Sequence, residues 1–158
     1  MKLLLVAVGR TTIDFVRQGV DEYLGRLSHY VPVETKIIAD VGRKAASLSP
    51  ARQKELEGEA ILQVVQPSDR VVLLDENGRE FTSREFADYC QRLMASGVRR
   101  VVFVVGGPYG FSQAVYDRAD SKVSLSRMTF NHEMVRLFFV EQLYRAQTIL
   151  RGEPYHHD

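Results

Sequence analysis

The chain has 158 residues, 45% of them hydrophobic and 26% charged, with a formal net charge of +1. That length suits one domain, 1–158, around one core, and so balanced a charge excludes a bulk polyelectrolyte mode of nucleic-acid binding while leaving local recognition of a folded RNA open. The single cysteine, Cys90, allows no internal disulfide, the apolar run at 2–8 is short for a secretory leader, and no run reaches a membrane span, so the expectation is a soluble, cytoplasmic protein.

Taken in order, "KLLLVAV" (2–8) is a continuous apolar run, as in a strand covered on both faces. A helix follows from about Thr12, with Phe15, Gly19, Tyr23 and Leu27 as its inward stripe. "VPVETKIIAD" (31–40) has strand character, and Pro32 favours a sheet edge. The stretch 40–50 has no apolar period and predicts a mobile loop. Ser49 as N-cap and Pro50 as first helical residue then open a second helix, with Leu56, Ala60 and Val64 inward.

"RVVLLD" (70–75) is the third strand, with a turn expected at Asn77-Gly78. Thr82 and Glu85 form a capping-box pattern, and Phe86, Tyr89, Leu93 and Met94 carry that helix inward until Gly97. "RRVVFVV" (99–105) is the fourth strand and runs into "GGPYG". Two helical turns (112–119), a short strand within 121–130, and a helix over 131–152 complete the chain. Asn131 is its expected N-cap, and Gly152 its stop.

Strands alternating with helices predict an α/β fold with a mostly parallel sheet and helices on both faces. Ligands of such sheets sit beyond the carboxyl ends of the strands, where "GGPYG" and "DENG" both fall. Gly106 and Gly107 either make a tight connection or bring bare backbone to a flat heterocycle. In "SLSRMTFNH" (124–132), hydroxyls and backbone before a long helix suit a polar ligand, or simply a cap. The last helix is apolar on more than one side, so it is either central or part of a homodimer interface. His29 and Cys90 read as structural. The tail residues His156, His157 and Asp158 do not make the convergent cage a metal needs.

In the same order and spacing, "LLLVAVGR", "LDENGREFTSREFA", "VVGGPYG", "LSRMTF" and "VRLFFVEQLYRAQTILRGEPYH" resemble the bacterial ribosomal large-subunit pseudouridine N3-methyltransferases of the SPOUT superfamily. The resemblance spans essentially the whole chain. It implies a C-terminal trefoil knot, a homodimer, and methylation of N3 of a pseudouridine in helix 69 of 23S rRNA on the assembled ribosome, with neither DNA nor membrane as partner. S-adenosylmethionine is the implied cofactor. Its implied contacts are Leu74, Gly106, Leu125, Ser126, Arg127, Met128, Thr129 and Phe130, and no metal is implied. His132 and Arg136 match family positions on the final helix, and Tyr155 and His156 match the tail motif that completes the active site. On chemical type, His156 is a base or orienting group, Tyr155 stacks on the nucleobase, and Arg136 binds phosphate or supports the helix. Asn131, where relatives often carry proline, Tyr109 and the terminal His157-Asp158 depart from the family pattern. A nucleotide-binding module without catalysis and a ribosome assembly factor are the rival readings.

Overall fold

The computed structural model describes residues 1–41 and 47–158. Residues 42–46 of the loop expected at 40–50 therefore lie outside the described residues. The elements are β1 (Lys2–Val8), α1 (Asp14–Leu27), β2 (Val33–Ile38), α2 (Pro50–Val64), β3 (Arg70–Glu80), α3 (Ser83–Ala95), β4 (Arg100–Val105), α4 (Gln113–Arg118), β5 (Ser121–Ser124) and α5 (Met134–Leu150). Among the described residues, five strands form one sheet in the order β2-β1-β4-β3-β5. Every pairing is parallel, as the alternating pattern predicts.

The period-2 direction of side chains sorts the sheet into two cores. Leu3, Val72, Val101, Phe103 and Val123 face α1, α3 and α5, which contribute Leu27, Phe86, Cys90, Phe139 and Leu143. Leu4, Val6, Val71, Leu73, Val102 and Val104 face α2 and α4, through Ile61 and Val115. Strands β1 and β4 are covered on both sides, which explains their unbroken apolar runs. Pro32 does precede an edge strand, β2. The connection from β1 leads outward to β2, whereas that from β4 leads past β3 to β5. The direction of winding therefore reverses between β1 and β4.

Local stop and start signals hold. Ser49 Oγ accepts from Arg52 N, and Thr82 and Glu85 form the reciprocal capping box. Gly97 and Gly152 take positive φ just beyond their helices. The last helix begins at Met134 rather than Asn131, yet Asn131 Oδ1 still accepts from the amides of Glu133 and Met134, at 2.9 and 3.3 Å. That helix packs between α1 and α3, so it is central to its layer, while Phe138 stays exposed.

Four expectations are corrected. Phe15, in the first turn of α1, is 64% exposed and Val16 takes its place in the core, whereas Gly19 against Leu137 and Leu27 keep the rest of the expected stripe inward. The buried face of α2 is Gln53, Glu57 and Ile61, one residue around from the apolar stripe, because this face meets loop backbone as well as sheet. Strand β3 does not end at Asp75: Leu74 and Arg79 both pair with Val123, so 75–78 bulges out and pairing resumes. His29, read as structural, is exposed.

Candidate active site

Three bends, one within β3 and the others at the carboxyl ends of β4 and β5, border a cleft of about 640 Å³. The first is the β3 bulge. Gly78 is required there because a Cβ would stand 2.7 Å from the backbone of Lys122 and Val123. Asp75 Oδ1 accepts from Asn77 N at 2.8 Å, and its other oxygen accepts a short hydrogen bond from Tyr116. Burial, then this bond to a carboxylate, push the Tyr116 phenol up to about 12, so it remains a donor at neutral pH.

The second bend is the glycine loop after β4. Gly110 alone has positive φ and donates to Gly107 O at 3.1 Å. The other two glycines answer to space. A Cβ on Gly106 would meet the Phe111 ring at 3.0 Å, and one on Gly107 would lie 2.8 Å from Glu57 Oε2. Glu57 is 2% exposed and accepts from Gln53 Nε2 at 3.2 Å; burial pushes its carboxyl up. The next residue of α2 is fitted in the reverse sense, since Ser112 fills the space a Cβ on Gly58 would need.

The third bend, 125–130, is held by its own hydroxyls. Ser126 Oγ accepts from Met128 N, and Ser124 Oγ donates to Ser126 O, both at 2.9 Å. Below it, Glu133 reaches across to accept from Thr12 N, Thr12 Oγ1 and Ile13 N at 2.6–2.9 Å. Burial opposes charge on Glu133, but these hydrogen bonds together outweigh it and hold its carboxyl below the usual range.

Of the residues expected at a cofactor, Leu74, Gly106, Leu125, Ser126, Met128, Thr129 and Phe130 line this cleft. The Arg127 side chain does not: it is 88% exposed and lies 3.4 Å from Glu80. The walls combine apolar groups (Leu74, Val105, Val123), carboxylates (Asp75, Glu76) and main chain at the bends. Such a set can pack a flat heterocycle, accept from hydroxyls and complement a positive charge. A second recess of about 500 Å³, at the carboxyl ends of β1 and β2, shares Pro108 and His132 with the cleft.

The three residues expected to act on the acceptor lie elsewhere in the same chain. Arg136 is buried and donates to Val8 O, Gly9 O and Thr11 Oγ1 at 2.7–3.1 Å. It fastens the end of β1, which favours the supporting reading over phosphate binding. Tyr155 packs edge-on against Tyr144 and shares hydrogen bonds with Glu141 and Tyr23. His156 sits between Arg145 and Asp158. None of them lines the cleft. Glu57, Asp75 and Tyr116 went unrecognised as site supports. The visible signals were a Glu-Gly pair inside a helix and an acid at a strand end.

The family model described as "Predicted SPOUT methyltransferase" matches residues 1–156. Proteins named "Ribosomal RNA large subunit methyltransferase H" are similar over the whole chain. That of Parabacteroides distasonis is 52% identical over 158 residues, covering all of both chains. That of Porphyromonas gingivalis is 54% identical over the same span. That of Christiangramia forsetii is 55% identical over 157 residues, 99% of each.

Proposed function

The chain belongs to the SPOUT methyltransferase family, and from this premise we propose that it methylates N3 of a pseudouridine in helix 69 of 23S rRNA, in the cytoplasm, on the assembled ribosome. The chain acts as one domain, 1–158, with the family's knotted threading, and works as a homodimer. The observation that carries the reading is the convergence of three separated bends, each singled out from sequence, on one cleft.

S-adenosylmethionine, when bound, supplies a methyl group on a sulfonium that leaves as a neutral thioether. The cleft suits it: Leu74 and its apolar neighbours pack the adenine, main chain at Gly106 and 125–130 hydrogen-bonds its edge, and Asp75 and Glu76 face hydroxyls and the positive charge. In-line displacement needs little beyond alignment, so these residues act by positioning. The recess sharing Pro108 and His132 with the cleft leaves room for an acceptor base. Tyr155 and His156 lie away from their own chain's cleft and complete the neighbouring protomer's. Arg136 supports the wall between β1 and α5.

Calorimetry with S-adenosylmethionine and labelled-methyl transfer to ribosomes lacking the modification test the proposal. Saturable donor binding and incorporation into 23S rRNA are expected, with a free helix 69 hairpin a poor substrate. No donor binding at millimolar concentration, or equal rates on the hairpin, would overturn it.

A further inference from the structure

The hydrogen-bond partners of the His156 ring constrain where its proton sits. Nδ1 lies 3.1 Å from Nη1 of Arg145, and Nε2 lies 3.0 Å from Oδ1 of Asp158. A guanidinium has donors only. Nδ1 must therefore be the acceptor, and the ring hydrogen must be on Nε2, directed at the carboxylate. An imidazolium would set a second donor against Arg145. Asp158 is kept as an acceptor by Arg84, whose Nε and Nη2 donate to both of its oxygens at 2.5–3.0 Å; that bond, aided by His156, holds the Asp158 carboxyl below the usual range.

The other groups around the ring belong to the same network. Arg145 also donates to Glu141 at 2.7 Å, and its guanidinium lies 4.8 Å from the Tyr155 ring centre. Tyr155 and Glu141 are 2.9 Å apart, oxygen to oxygen. The chain Arg84, Asp158, His156, Arg145 thus runs from α3 through the tail to α5, donor to acceptor at each link. It ends at a cation lying against an aromatic ring.

We propose that His156 is a positioning residue, a neutral imidazole with its hydrogen on Nε2, which fixes the Arg145 guanidinium against Tyr155 and takes no proton from the acceptor base. The proposal deepens the methyltransferase reading and rests on it for its catalytic consequence, but the tautomer is a property of the free protein. With both ring nitrogens engaged, His156 has no lone pair for the N3 proton. Its part is to hold the surface that Arg145 and Tyr155 offer to a nucleotide.

Two measurements test this. Long-range nitrogen–proton correlation NMR on the free protein is expected to show His156 with protonated Nε2 and unprotonated Nδ1 at neutral pH. The Nδ1–H tautomer, or a ring averaging freely between the two, would overturn the proposal whatever the enzyme does. The second compares His156→Asn with His156→Ala in single-turnover methylation of unmodified ribosomes. Asparagine can place an acceptor oxygen near Nδ1 but cannot serve as a base at neutral pH. A positioning role predicts a loss of about tenfold or less for Asn and about a hundredfold or more for Ala. Loss of a general base would cost both variants at least about a hundredfold, and that result would refute the assignment. The His156 side chain is only 13% exposed, so a fall of a few degrees in melting temperature is expected for both variants, and the methylation comparison is made well below both transitions. Absence of methylation by the wild type would count against the methyltransferase reading and leave the tautomer result standing.

Discussion

Gly107→Ala probes how firmly the glycine loop is held from beneath. The new Cβ would stand 2.8 Å from Oε2 and 3.3 Å from Cδ and Oε1 of Glu57, roughly 0.5 Å or more inside ordinary contact for the nearest pair. Glu57 is buried in mid-helix and tied to Gln53, so it cannot swing into water. Overpacking of this kind costs about 1–3 kcal/mol. At roughly 2–4 °C per kcal/mol for a chain of this size, the melting temperature should fall by about 2–12 °C. The strain falls on a loop that walls the cleft, and each kcal/mol passed to it weakens donor binding about fivefold. Shortening the acid with Glu57→Asp withdraws the carboxylate by one carbon–carbon bond, about 1.5 Å. The double variant should therefore be more stable than the sum of the single effects by about 1 kcal/mol. Thermal denaturation and calorimetry of the four proteins complete the cycle. A wild-type melting temperature for Gly107→Ala, or strict additivity in the double variant, would show that Glu57 does not hold this loop.

Glu133→Gln should destabilise the protein by about 1–3 kcal/mol by weakening the acceptor for three donors at the start of α1. Because the folded carboxyl titrates below its unfolded value of 4.5, its contribution is full above that pH and is lost as pH falls through the folded value; chemical denaturation should show the two proteins converging under acid, and a constant gap would contradict the sign. In spectrophotometric titration, Tyr116→Phe should remove a tyrosine that ionises late, near pH 12, and should weaken donor binding as Asp75 loses its anchor; loss of an ordinary tyrosine near pH 10 instead would contradict the Tyr116–Asp75 bond. Phe138, 42% exposed and packed 5.2 Å from Phe130 of the third bend, should belong to the homodimer contact: Phe138→Glu is expected to give monomers by light scattering, with methylation lost, and an intact dimer would exclude that surface.

What the sequence made legible were features decided within a few residues. The caps at Ser49, Thr82 and Asn131, the stops at Gly97 and Gly152, and the apolar runs of β1 and β4 all follow from neighbouring chemistry. What it hid depends on distant partners. The β3 bulge exists because Gly78 lies against β5, some forty-five residues on, and no local pattern tells this from a turn at Asn77-Gly78. The inward face of α2 escaped notice because it carries Gln53 and Glu57, polar groups whose burial makes sense only once Gly107 stands opposite. Most cofactor positions carried by the family resemblance do line one cleft. Arg127 shows the limit of such transfer, since a residue's place in a motif does not fix where its side chain points.

The supports of the cleft divide unequally, and the division bears on mechanism. Two bends are held by groups from other elements, Asp75 by Tyr116 and Gly107 by Glu57, while 125–130 is held by its own hydroxyls and the entry to α5 by Glu133 bound to the start of α1. Glu57 and Glu133 are shielded from water, so the cleft proposed to hold the donor is shaped before any ligand arrives. That suits a displacement whose barrier falls mainly through alignment. The tail is different. Its outer anchor is the exposed Arg84–Asp158 pair, and exposed pairs hold little free energy. Only the outer end of the tail is therefore lightly tethered, whereas Tyr155 and His156 are held inward by Tyr144, Glu141 and Arg145. On the proposed reading, a preshaped donor cleft together with the Arg145–Tyr155 surface of a second protomer reconciles a near-neutral protein with a large, highly charged substrate: local fit takes the place of long-range attraction.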